Sequence, residues 1–470
     1  MTPLNMKRII HRLCILCAVA VSLGTLQAQK ANSLYFLEQS PGIARSNPAI
    51  NPSYSGFGIG ISSLSIYVQS DLALNQLIQV GPDGQTRWFL NPDADRNVFL
   101  ESIESQTQFR SGMHIDYFSL GIKLGDKGYL RFHSGLSIET NAGIPKDLFR
   151  MIIDGMDANA SVTSFDLTQT QFDISAYSIS GMGFSSNLGE KVIVGANINY
   201  LRGLSDIRMG FDELRIDASE EQWDVYSKGY LQMAGPDQID FRYDEDGYLD
   251  GFEQKYSNSV GQNLSSIVNA LPNAGSGFSF DLGVLIKPVS FLKLSASLTD
   301  IGSIRWNSKH IQKAASDGHF TYDGMNLNAS ETEESSIQEE VKDLLRFEKV
   351  QDYRSYRSRL NSKLNLGAEA GIIENKMSLG VLSQTTFTDY GDFQDLMLSA
   401  NFKPGSLIQT AFTYSLLHGE LSSFGAAVNM KLIFLNIFAA ADYIPASITP
   451  QGLPINNAYF NGHVGLNFMF

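Results

Sequence analysis

The chain has 470 residues, 43% of them hydrophobic and 11% aromatic, with 41 glycines and a formal net charge of −14. That acidity argues against nucleic acid as a partner, because phosphate-backbone binding needs clustered Lys and Arg. Its two cysteines are Cys14 and Cys17, so past residue 28 there is no disulfide, thiolate nucleophile or cysteine metal site to build.

In chain order, Met6, Lys7 and Arg8 open a basic stretch, Leu13 to Leu23 is nearly all apolar, and "LQAQ" follows, with Ala28 as the expected cleavage residue. These are the parts of a secretory signal peptide, residues 1–28. A membrane anchor would need about 20 apolar residues, and this run is shorter. Residues 29–55 come next, beginning "QKANSLYFLEQSPGIARSNPAINPS". They are rich in Asn and Pro and lack a strand pattern, which suits a plug or hatch in the mouth of a barrel.

From Gly56 to Phe470 the texture is uniform, with no linker and no apolar run long enough for a spanning helix. Alternating stretches recur instead, such as "GIGISSLSIYV" (58–68), "KVIVGANINYL" (191–201), "SGFSFDLGVLI" (276–286) and "KLNLGAEAGII" (363–373). The connections between them are unequal. "GDKG" (125–128), "NLGEK" (187–191), "KPVS" (287–290) and "IENK" (373–376) are short, whereas 69–112, 140–171, 204–275 and 302–355 are long. Short turns on one side and long loops on the other define an all-β fold, a closed antiparallel transmembrane β-barrel over 56–470. The count is about 14 strands within a range of 12–16, because "SDIRMGFDELRI" and "QWDVYSKGYLQM" (204–235) either extend strand 5 as a ribbon or add two strands.

Two faces follow from the alternation. Phe278, Phe280, Leu282, Val284 and Ile286 oppose Ser279, Asp281 and Gly283; Val192, Val194, Ala196, Ile198 and Tyr200 oppose Asn197 and Asn199. An apolar outside and a polar inside match lipid and a wet lumen. The predicted lumen carries Asp281, Lys293, Lys363, Asn365, Glu369, Asn401, Lys403, Asn429, Lys431, Asp442 and His463. Mutual pairing that fills the interior or holds the plug is the commoner role for such residues, and binding of a permeant the sharper one.

Between the strands, "RYDEDGYLDGFE" (242–253) places Asp244, Asp246, Asp250 and Glu253 at positions 3, 5, 9 and 12 of a calcium-loop pattern. Arg242 stands where the first carboxylate belongs, so an ordinary solvated turn competes with a calcium-steadied loop. "SSIQEEVKDLLRF" (335–347) has a helical apolar stripe with a capping box and reads as a loop helix on the barrel rim. Asp300 and Trp306 fall at the loop rim of strand 7, as a strand-capping turn and an interfacial aromatic. The seven histidines form no metal-ligand spacing, and no nucleophile elbow, zinc or phosphate-loop motif occurs, so nothing nominates an enzyme.

The final strand, "NGHVGLNFMF" (461–470), turns Val464, Leu466, Phe468 and Phe470 outward. "ANSLYFLEQSP", "SNPAINP", "GFSFDLGVLIKP", "LSASLTDIGSIRW" and "GLNFMF" together resemble a Bacteroidota family of outer-membrane barrels catalogued as a domain of unknown function. More distantly, the Asn-Pro-Ala element and the strand count resemble the FadL-like fatty-acid transport barrels, which bind a hydrophobic substrate and carry an N-terminal hatch. Resemblance to outer-membrane barrels implies that the four outward terminal residues are an assembly signal. It implies as partners outer-membrane lipid, the barrel insertion machinery and a hydrophobic small molecule. The expected function is a passive channel or transporter for hydrophobic small molecules. Its alternative is a non-conducting barrel that serves as a structural or docking partner of a secretion or surface-assembly system.

Overall fold

The structure is a computed structural model. It describes residues 32–470 apart from 38–41, 52–55, 154–161, 220–221, 236–238, 255–272, 323–345, 374–375, 418–420, 446–459 and the positions 73, 82, 90, 92–93, 126, 352 and 406. The expected signal peptide (residues 1–28) and residues 335–345 of the expected loop helix therefore lie outside the described residues.

Fourteen antiparallel strands close into a barrel. They are β1 (Phe57–Ser70), β2 (Gln106–Leu124), β3 (Gly128–Pro145), β4 (Gln171–Leu188), β5 (Val192–Ala218), β6 (Gly275–Val289), β7 (Leu292–Trp306), β8 (Ser362–Ile373), β9 (Met377–Phe387), β10 (Phe393–Phe402), β11 (Ile408–Leu417), β12 (Leu421–Leu432), β13 (Leu435–Pro445) and β14 (Phe460–Met469). Closure comes from β1, which pairs with β2 on one side and with β14 on the other, from Gly58↔Met469 to Val68↔Phe460. Among the described residues, the barrel's first and last strands thereby cover each other's edges.

The chemistry of the two faces is inverted relative to a soluble sheet. On β6, Phe280 points outward and is 48% exposed, while its neighbour Asp281 points inward and is 4% exposed. Lipid contact on one face and a filled lumen on the other dictate this arrangement.

Strand length differs around the ring. β8–β14 have 10–12 residues, near the length that crosses a bilayer with tilt, whereas β2–β5 have 18, 19 or 27. The excess rises at the loop end. There β5 continues as a ribbon: its residues Asp206–Ala218 pair with Trp223–Ala234, which pairs in turn with Ile311–Tyr322. The ribbon extends strand 5 without adding strands to the barrel, and the count stays at 14. Parts of the expected loops are thus strand, since β2 begins at Gln106, β3 runs to Pro145 and β7 to Trp306. The lipid-facing apolar pattern stops at the membrane surface, but backbone pairing does not need it and carries on above.

Small apolar clusters hold this upper tier. One joins Leu72, Phe89, Phe99, Leu100, Ile103 and Ile153, with Phe89 and Phe99 stacked at 4.3 Å. A second joins Phe165, Leu167, Leu214, Ile216, Ala218 and Val225.

Candidate functional site: the plugged lumen

Residues 32–37 and 42–51 pack against inward-facing side chains of the barrel wall, and their seat is specific. Asn47 is fully buried; its Nδ2 donates to the Ala296 carbonyl and the Tyr35 hydroxyl, each at 3.3 Å, and its Oδ1 accepts from the Ala49 N–H at 2.9 Å. This Asn therefore both turns the plug and pins it to β7. Arg131 on β3 donates to the Pro48 carbonyl at 2.8 Å and to Asn51 at 2.9 Å. Ser297 and Asn365 both donate to the Ser46 carbonyl, at 2.6 and 3.1 Å.

Two wall glycines make room for the Asn-Pro-Ala turn. A Cβ on Gly195 would lie 2.1 Å from the Pro48 carbonyl oxygen, and one on Gly283 would lie 2.2 Å from Asn47 Oδ1. Only glycine permits that approach. The other face of the plug is apolar: Leu34 and Leu37 pack on Ala411, Ala427, Phe438 and Ala440, and Tyr35, Phe36, Ile43 and Ile50 on Leu382 and Met397.

The charged residues expected in the lumen are largely paired there. Glu369 holds Lys403 at 2.5 Å and Lys293 at 3.4 Å, and Lys363 meets Asp300 at 3.6 Å. Asp281 accepts from Asn197 at 2.9 Å, from Asn199 at 3.3 Å and from the Asp300 N–H at 2.8 Å. Both Asp442 oxygens accept from the Ser33 N–H, at 3.2 and 3.3 Å, so this residue anchors the plug. His463 is buried edge-on to Phe438, Asn429 accepts from Asn436 at 2.9 Å, and Asn401 donates to Ser378 and Ser399. Lys431 is half-buried near the turn end of β12.

Sequence reasoning missed the site's main cations, Arg45 and Arg131. Arg45 comes from the plug and meets Asp116 of β2 at 2.6 Å, with His114 on the same oxygen at 3.0 Å. The "IAR" stretch carries no periodicity, so the one available signal was an Arg in an otherwise uncharged stretch.

Three cavities neighbour one another and share lining residues. One at the loop end and one in the middle of the lumen both touch Glu139 and Tyr177. The middle cavity and a third both touch Arg45. The third is lined from inside by Gly60, Ser63, Asp116 and Arg131, and also by Leu120, Phe132 and Leu466, which alternate onto the outer face. At that height the wall is broken. The β1–β2 pairing runs from Gly60↔Ser119 to Ser63↔Asp116 and skips Ile61, Ser62, Tyr117 and Phe118. Bulges on both strands coincide, at Gly60/Ser62 against β14 and at Asp116/Phe118 against β3.

The calcium-loop residues are in a hairpin, 239–243 paired with 249–254, above the barrel. Arg242 Nε donates to Asp250 at 2.9 Å, and Asp244 accepts from the Tyr248 N–H at 2.8 Å. Among the described residues no group of three or more His, Cys, Asp or Glu is gathered to hold a metal, so Asp244, Asp246, Asp250 and Glu253 are not brought together. Trp306 is a correction: it is fully buried against Gly203 and Gly275, and its Nε1 donates to Ser358 at 2.8 Å. The upper tier covers it, which removes it from any lipid interface. Asp300 lies inside β7 with φ 59°, at the bulge where β7 slips against β6.

On the outer face of the last strand, Val464 and Phe470 are exposed, and Leu466 and Phe468 are half-buried among neighbouring strands. Phe470 stacks on Phe57 at 4.8 Å and lies parallel to Phe434 at 6.2 Å.

These features define a closed 14-strand transmembrane β-barrel with its N-terminal residues packed against the lumen wall. The chain belongs to the family of unknown function DUF5723, whose profile matches residues 48–442. No curated protein sequence matches it. Among solved structures it is similar to the toluene transporter TbuX of Ralstonia pickettii, at 9% identity and TM-score 0.40, over 95% of this chain and 96% of that one. It is also similar to the P. putida toluene transporter TodX (10%, 0.39, 95% and 99%) and to a Pseudomonas aeruginosa FadL homologue (11%, 0.40, 95% and 96%).

Proposed function

We propose that the protein is an outer-membrane channel for small hydrophobic molecules, which pass from the loop end through the lumen and leave sideways between β1 and β2. The observation that carries this reading is the cavity at the broken β1–β2 ladder, lined from both faces of the wall. An axial route would have to dislodge the plug and its hydrogen bonds. A sideways route needs only the Arg45–Asp116 pair to part and the bulged segment to flex, and it delivers an apolar solute directly to lipid. Export by the N-terminal signal peptide and insertion by the terminal strand complete this reading.

The test is a disulfide across the break. In the double variant Ser62→Cys and Tyr117→Cys, oxidation should abolish uptake of a fluorescent fatty acid into proteoliposomes, and reductant should restore it. Uptake indifferent to the cross-link would overturn the sideways route. The absence of uptake and conductance with and without residues 29–53 would overturn transport altogether. In that event the second reading gains: a non-conducting docking partner of a secretion or surface-assembly system, supported by the separately cored tier above β5.

A further inference from the structure

We infer that the loop-end cavity is a binding site for a small organic ammonium ion. The cavity lies where the upper parts of β3, β4 and β5 meet the segments around 358–361 and 389–390, and it is lined by Glu139, Asn141, Asp173, Arg208, Asp389 and Tyr390, among others. Its charges do not balance. Arg208 is already committed, with Nε on Asp206 at 2.9 Å and Nη1 at 4.0 Å from Asp389. Asp206 is completely buried behind it and also accepts from the Ser175 and Tyr356 hydroxyls. Burial, with the Asp206 carboxylate beside it, holds the Tyr356 hydroxyl above the ordinary tyrosine range, so it stays a donor. Arg208 thus carries one charge against two carboxylates, Asp206 and Asp389, while Glu139 and Asp173 face the cavity with Arg359 as the other lining cation, so carboxylates exceed cations by two.

The second observation is an acceptor without a donor. Asn141 is 5% exposed, and its Nδ2 donates to Asp173 Oδ2 at 3.0 Å. A carboxylate accepts and cannot donate, so this contact fixes the amide's orientation. Asn141 Oδ1 is left buried with no hydrogen-bond partner. A buried acceptor of this kind costs about 1–3 kcal/mol, and occupancy by an N–H donor removes that cost. The ligand must therefore bring both N–H and positive charge, and the rings of Tyr177 and Tyr390 in the lining offer faces to its alkyl part or its cation. Neutral alcohols supply the donor alone, and quaternary ammonium ions the charge alone.

The site stands whether or not the lumen conducts, because calorimetry reads binding alone. With the full chain folded in detergent, titration with n-butylammonium chloride should give saturable heat. Tetramethylammonium should bind at least roughly tenfold more weakly, and n-butanol should give none. Asn141→Ala should weaken n-butylammonium about tenfold or more, and Asp389→Asn, in an exposed loop, should weaken it several-fold without affecting folding. Asn141→Asp, which keeps the acceptor and adds charge, should bind at least as well as the parent. No heat with n-butylammonium, equal heat with n-butanol, or unchanged binding in the two weakening variants would each overturn the assignment. If Asn141→Ala fails to show the folded band on unboiled gels, Asp389→Asn and Asn141→Asp decide.

Discussion

Arg45 of the plug and Asp116 of β2 meet at 2.6 Å, at the point where the central cavity gives way to the one behind the broken β1–β2 ladder. Both side chains are mostly buried, at 18% and 11% exposure. Removing one partner of such a pair costs about 3–5 kcal/mol, enough to alter the local conformation without dismantling fourteen strands. Arg45→Ala should accordingly raise fluorescent fatty-acid uptake several-fold, while Arg45→Lys stays near the parent. Uptake at or below the parent level in Arg45→Ala would remove this pair from the gate.

The glycine seats under the Asn-Pro-Ala turn allow a separate test of the plug. Gly283→Val places a side chain where Asn47 Oδ1 now lies, and Gly195→Val one where the Pro48 carbonyl lies. Either should unseat the plug and expose Arg45 to trypsin while the barrel keeps its folded band. Gly318→Ala, where an added Cβ meets nothing within 4 Å, should leave the cleavage pattern unchanged. Mass spectrometry of the digests reads the difference.

Deleting Phe470 should abolish assembly, seen as loss of the heat-modifiable band in membranes. The deletion removes one ring that stacks on Phe57 and lies parallel to Phe434. Aromatic pairs of this sort add about 0.5–1.5 kcal/mol each, too little to unfold a closed barrel. Loss of assembly would therefore mean loss of recognition during insertion. A deleted chain that refolds in detergent but not in cells is the expected signature, and normal insertion in cells would end the assembly-signal reading.

Trp306→Ala should destabilise the upper tier by about 3–5 kcal/mol, because a fully buried indole leaves a cavity and Ser358 loses its donor. Trp306→Phe should fall between. Thermal melting of the purified protein measures both, and an alanine variant that melts with the parent would show that the tier does not depend on this residue.

The barrel was legible from the sequence because its determinants are periodic. Phe278, Phe280 and Leu282 announce a lipid face in steps of two, and the short turns place every second strand end on one side. The lumen charges Asp281, Glu369 and Asp442 were legible for the same reason. Arg45 and Arg131 were not, since each acts through a partner distant in the chain and neither belongs to a pattern that separates it from a surface residue. The wall break at Ile61 and Tyr117 was hidden for a different reason: a bulge shifts the alternation by one residue, and "GIGISSLSIYV" still alternates acceptably across it. Trp306 was misplaced because no local pattern around it hints that a second tier of sheet covers the top of β7.

That tier changes the shape of the barrel's mouth. At about 3.3 Å per residue, the 27 residues of β5 make a ribbon roughly 90 Å long, against about 30 Å of hydrocarbon. Strands β8–β14 stop after 10–12 residues. Among the described residues, the strands thus rise high on one flank and end low on the other. On the proposed reading, a solute skimming the head groups would meet the lower strand ends first, so approach would be directional, and the orientation of each barrel among its neighbours in the bilayer would become a determinant of how fast it is reached.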